Sequence, residues 1–139
     1  MATALKYFDT AKTASCRITT GVTNTDGTGT LSTFTWGNTA PAADWMPVKM
    51  VVSSSSATGV GNPADCLFQI FLSDGTNIRK IRTVDLGDPA VGTTALGEYI
   101  AEINFGPEWV LPTTCSLQVS ISVTPTAGNI DVVLIAQAA

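Results

Sequence analysis

The residues able to do chemistry in this chain are few and scattered. There is no histidine among the 139 residues. That removes Ser-His-Asp and Cys-His nucleophilic centres and the usual zinc ligand sets. The carboxylates offer two loose groupings. Asp85 and Asp88 fall in one loop, and Glu98 and Glu102 are four apart on one strand, so they share a face. Two carboxyls ~5–10 Å apart could hydrolyse a glycosidic bond. Nothing nearby adds a sugar site, and solvated edge charges account for them better. Asn24 and Asp26 before Gly27 have the start of a calcium loop without its alternating oxygens or closing Glu. A turn aspartate is the expected role. Together these patterns predict a protein that is not an enzyme, with no cofactor and no bound metal.

Binding chemistry has slightly more support. Trp36, Trp45 and Trp109 could make a stacking platform for a sugar. Trp36 alternates with Phe34 and is expected in the core. Trp109, between Pro107 and Pro112, is expected to pin a loop. Trp45, beside Pro47, is the candidate for an exposed ring. Three of the seven basic residues cluster as Arg79, Lys80 and Arg82, on both faces of one strand. They would either guard an edge against stray pairing or dock an acidic partner surface. In both cases the adjoining turn at Asp74 and Gly75 becomes a contact candidate. Cys16, Cys66 and Cys115 are far apart in apolar or strand-like surroundings. Three buried thiols are expected, with a Cys66–Cys115 bridge as the alternative.

The elements that must carry these residues are strands. In residues 115–124, Cys115, Leu117, Val119, Ile121 and Val123 alternate with Ser, Gln and Thr. A period of two sends the apolar set to one face and the polar set to water or a neighbouring subunit. Further strands are expected at 13–20, 31–36 (with Phe34 and Trp36 on one face), 46–54, 66–72, 77–84, 98–105 and 130–137. The run at 66–72 is nearly all apolar and should be covered on both sides. Ser73-Asp74-Gly75-Thr76 marks a hairpin. The run Val132–Ile135 places the last strand in the middle of a sheet. About eight strands and no helix predict one all-β domain, an antiparallel β-sandwich over residues 13–139. Residues 1–12 lack a period and form an expected N-terminal arm. A Ser/Gly-rich loop covers 53–63.

Composition narrows the partners. Charged residues make up 13% of the chain, about half the ordinary share, and the net charge is −4. Seven basic residues are too few to hold nucleic acid through many phosphate contacts. No apolar run is long enough to cross a bilayer, and the first residues show no signal-peptide core, so synthesis in a reducing cytosol is expected. A surface of Ser, Thr, Asn and Gln suits packing into an assembly, where charges would have to be desolvated.

The hairpin Phe71-Leu72-Ser73-Asp74-Gly75-Thr76-Asn77-Ile78-Arg79, the segment Trp109-Val110-Leu111-Pro112, the alternating strand after it and the closing Ile130-Asp131-Val132-Val133-Leu134-Ile135-Ala136 stand in an order with a known counterpart. Over roughly residues 48–139 the chain resembles small virion structural proteins of tailed bacteriophages. The family more often ends in Gly-Gly-Asp-Tyr/Phe, whereas this chain ends Ala136-Gln137-Ala138-Ala139. The resemblance implies a jelly-roll-like sandwich on the virion, acting as a capsid decoration or cement protein. The implied partners are the major capsid protein and further copies of the chain, as a homotrimer or homodimer. The arm at 1–12 and the loop at 53–62 would reach neighbours. A fibre, tail or adaptor component and a carbohydrate-binding module are the alternative readings.

Overall fold

The computed structural model describes residues 11–23, 26–37, 40–54, 66–86, 99–106, 108–125 and 128–138. They form nine strands: β1 (Ala11–Ile18), β2 (Ser32–Thr33), β3 (Thr35–Trp36), β4 (Trp45–Ser54), β5 (Leu67–Ser73), β6 (Ile78–Asp85), β7 (Tyr99–Asn104), β8 (Ser116–Ile121) and β9 (Ile130–Ala138). No helix occurs among the described residues. One sheet runs β3-β1-β9-β4-β7 and the other β2-β8-β5-β6, with every pairing antiparallel. The chain is an all-β sandwich, as its periodicity predicts.

Alternation explains which side chains meet between the sheets. In β9, Ile130, Val132, Leu134 and Ala136 are buried, while Asp131, Val133, Ile135 and Gln137 point the other way. Met50 and Val52 of β4, Ile103 of β7, and Ala14 and Ile18 of β1 join them. Phe68 and Ile70 of β5 and Leu117, Val119 and Ile121 of β8 supply the opposing layer. Each large side chain so buried stabilises the fold by roughly 1.5–3 kcal/mol. The strand β9 sits between β1 and β4, so its place inside a sheet agrees with its apolar run.

Three departures from the sequence expectation have physical causes. The segment 31–36 divides. Ser32 and Thr33 pair with Val119 and Gln118 in one sheet, whereas Thr35 and Trp36 pair with Ser15 and Ala14 in the other. Phe34 lies at the step between sheets and packs against the core, which raises the strand count to nine. The long strand expected at 115–124 is β8, only six residues. At its end the Ser122 hydroxyl accepts the Leu67 amide at 2.9 Å and the Ser122 amide donates to Leu67 O, closing the ladder. The first strand begins at Ala11, so residues 11 and 12, assigned above to the arm, pair with Gln137 and Ala136. Residues 1–10 and most of the 53–63 loop lie outside the described residues.

Proline inside β4 is tolerated for a simple reason. Pro47 pairs with Ala136 of β9, and β7 joins on the other side only from Lys49 onward. The missing N–H therefore leaves no gap in a ladder, and a bulge between Pro47 and Lys49 absorbs the register change.

Candidate functional site

The strand β6 is an edge of the four-stranded sheet, and it carries the basic trio. Register separates the three side chains. Arg79 lies opposite Leu72, Lys80 opposite Phe71, and Arg82 opposite Ile70, with a bulge at Ile81 between Lys80 and Arg82. Lys80 therefore sits on the outer face, while Arg79 and Arg82 flank the side that looks toward the second sheet. The Arg82 guanidinium donates to the Asn104 carbonyl at 3.2 Å, tying the end of β7 to the β6 edge. Arg79 donates to its neighbour's carbonyl, Ile78 O, at 3.0 Å. All three are exposed. A bulge, a lysine and two arginines on one edge are devices that resist strand addition. A partner at this edge would be met by side-chain charge.

The adjoining turn is held by Asp74. Its Oδ1 accepts the amides of Asn77 at 2.6 Å and Thr76 at 2.9 Å, and the Ser73 hydroxyl accepts the Gly75 amide. Gly75 has φ of 94°, a conformation that disfavours a side chain. The Asn77 and Thr76 hydrogen bonds hold the Asp74 carboxyl below its ordinary range. That contribution is present above the unfolded-state pKa and is lost as pH falls through the lowered folded value. Asp74 and Gly75 thus build the tip, and their side of the hairpin is open to solvent.

Trp45 is not the exposed ring that the sequence suggested. It is 3% exposed and packs edge-on against Trp36, with centroids 5.5 Å apart and planes at 88°. Its backbone exchanges two hydrogen bonds with Leu111, at 2.8 and 2.7 Å, which draws the 108–112 segment onto the end of β4. Proline at 47 did not push the ring outward, because it lies where β4 is already in the sheet. Trp109 packs edge-on against Phe105 at 6.3 Å and is half-buried, in keeping with a loop pin. Beside the Trp36–Trp45 pair, a small cleft of about 150 Å³ is lined by Phe34, Pro41, Cys115 and Leu117.

The thiols differ in reach. None forms a disulfide, so the Cys66–Cys115 bridge is absent. Cys66 is fully buried, and Cys16 and Cys115 are half-buried. Burial, with a smaller effect of Asp131, pushes the Cys16 thiol up to about 12. At neutral pH a disulfide-exchange reagent should therefore react first with Cys115 at the cleft. One thiol is expected to label in the folded protein and three in denaturant, and rapid native labelling of Cys16 or Cys66 would contradict the packing.

Two other carboxylates hold local structure. Asp26 Oδ1 accepts both the hydroxyl and the amide of Thr28, at 2.6 and 3.0 Å, as a turn residue does. Glu102 pairs with Lys49 at 3.3 Å. No group of three or more His, Cys, Asp or Glu side chains converges on a common point among the described residues. Asn24, Asp88 and Glu98 lie outside them.

No family model matches the chain, and no curated protein is similar to it in sequence. Distant likenesses appear among solved structures. One is a chain in the structure of infectious bursal disease virus Gx strain, at 12% identity and TM-score 0.38, spanning 92% of this chain and 32% of that one. Another is from the Gt strain of the same virus, at 15% identity and TM-score 0.26, spanning 93% and 36%. This chain spans about a third of the length of each.

Sequence reasoning missed one buried polar cluster. The outer face of the four-stranded sheet is not bare. Phe71 is fully buried there, outside the main core, and a side chain added at Gly27 would meet the Phe71 ring and Ile78. The chain after β1 therefore crosses this face. Beneath it, Gln69 and Ser120 are register partners, 1% and 2% exposed. Gln69 Oε1 and Nε2 and Ser120 Oγ have no hydrogen-bond partner. The signal available was Gln69 itself, a polar residue inside an otherwise apolar run. Each orphaned group costs about 1–3 kcal/mol. The double change Gln69→Met with Ser120→Ala should raise stability by about 1–2 kcal/mol in urea unfolding. A loss of that size would show that these atoms are paired in solution.

Proposed function

We propose that this chain is a virion structural protein of the capsid decoration, or cement, kind, which binds the shell without turnover. The strand order carries the reading. Leaving aside the short β3, one sheet runs β1-β9-β4-β7 and faces β2-β8-β5-β6. This is the order of a jelly roll, an architecture used by capsid and lectin domains among others. The fold alone does not choose between those uses. Three further features favour binding within an assembly: a charge content of 13%, the carboxylates of Asp26, Asp74, Glu102 and Asp131 spent on turns and ion pairs, and the hairpin sequence that resembles phage virion proteins.

On this reading the major capsid protein meets the Asp74–Gly75 tip and the basic edge of β6, and the protein works on the outside of the particle after synthesis in the host cytoplasm. It carries out no reaction and needs no cofactor. The deciding experiment adds purified protein to capsids that lack it. Stoichiometric uptake and a higher shell melting temperature support the assignment. No uptake by mature shells removes it. A fibre, tail or adaptor role would instead appear as a low copy number per particle. A carbohydrate module has lost its main support with the burial of Trp45.

A further inference from the structure

The two outer faces of the sandwich differ. The chain after β1 crosses one of them, over Phe71. The other, on the five-stranded sheet, presents its side chains directly. Register places Val133 of β9 between Ser15 of β1 and Val51 of β4, and Ile135 between Thr13 and Lys49. Val133 is 38% exposed, one of two large apolar side chains that stand out from the described surface. Val51 and Ile135 are half-buried beside it and do not belong to the core cluster. Thr13, Ser15, Glu102 and Asn104 surround this centre and are exposed.

The charges on this face are already matched. Arg17 and Asp131 are cross-strand partners joined by two hydrogen bonds, at 2.8 and 3.1 Å. Lys49 pairs with Glu102 at 3.3 Å. Among the described residues, two positive and two negative groups leave the face neutral, although the chain carries −4. A strongly charged partner would find nothing to select it here. An identical face would meet no net repulsion, and each ion pair would keep its own partner. Four long strands at ~4.8 Å spacing, with about eight residues each, make a face of roughly 500 Å². Two such faces together reach about 1,000 Å², the lower bound for a specific interface.

We propose that the outer face of β1, β9, β4 and β7 is a self-association surface, on which a second copy of this chain packs face to face about a two-fold axis. This deepens the assembly reading above by naming the surface that copies share. Its test uses the protein alone, so a failure to bind capsids and a failure to self-associate are separate results. The apolar centre of Val51, Val133 and Ile135 would be covered by its equivalent, and the rim would stay polar and wet. The small area implies a reversible dimer.

Sedimentation of the purified protein over a concentration series reads the outcome. A monomer–dimer equilibrium in the micromolar range is expected. It should not weaken between low and high salt, because the ion pairs lie within each copy and apolar burial drives association. Val133→Lys should weaken the dimer by a hundredfold or more, since two ammonium groups would meet near the axis. Ser15→Glu on the rim provides a second probe if Val133→Lys fails to fold. Val110→Lys, which changes the other exposed apolar residue, should leave the dimer intact. A monomer at all concentrations overturns the proposal. So does a trimer or larger species that Val133→Lys and Ser15→Glu do not affect, or an association that salt dissolves.

Discussion

Replacing Trp45 with alanine should lower stability by about 3–5 kcal/mol, the range for removing a large aromatic from a packed core. The ring is 3% exposed and meets Trp36 edge-on at 5.5 Å. Its loss also removes packing beside the two Trp45–Leu111 backbone bonds that draw the 108–112 segment onto β4. Urea unfolding measures the change, and tryptophan emission should shift as Trp36 gains solvent. Trp45→Phe should recover more than half of the loss. A ring that recognised sugar would behave in the opposite way, with an alanine variant that folds normally but loses glycan binding. A change in stability below 1 kcal/mol would contradict the burial described here.

Reversing the β6 charges, with Arg79→Glu, Lys80→Glu and Arg82→Glu together, should weaken addition to capsids by roughly 10–100-fold. Three exposed groups at about 0.2–1 kcal/mol each sum to roughly 0.6–3 kcal/mol, which brackets that range. The effect should shrink as salt rises, because these side chains are exposed. Arg82 also donates to Asn104 O, so the single Arg82→Glu variant tests whether the sandwich edge loosens. Hydrogen exchange at the end of β7 would report that loss separately. Unchanged capsid binding by the folded triple variant would move the contact surface away from β6.

Much of the fold was legible because alternation is strict where one face is buried. Residues 117, 119 and 121 and residues 130, 132, 134 and 136 point inward as their period demands. The Asp74–Gly75 turn was equally clear, since a carboxylate and a positive φ are what such a turn uses. The division of 31–36 was not legible. Two residues pair with each sheet, and nothing local marks the step at Phe34. The burial of Trp45 depended on Leu111, sixty-six positions away, and the Arg17–Asp131 pair on a separation of 114. Local pattern carries no information on such distant partners. The run Val132–Ile135 correctly marks a strand inside a sheet, since β9 lies between β1 and β4. Of the candidate contacts, Asp74, Gly75, Arg79, Lys80 and Arg82 come together around one hairpin, and only Trp45 falls elsewhere, in the core.

The pairing of Ala11 with Gln137 and of Ile18 with Ile130 runs the first and last strands side by side in opposite directions. Whatever precedes residue 11 and whatever follows residue 138 leave the domain from the same corner, about one strand spacing apart. A dye at residue 11 and a quencher at residue 137 would sense the unzipping of a single ladder.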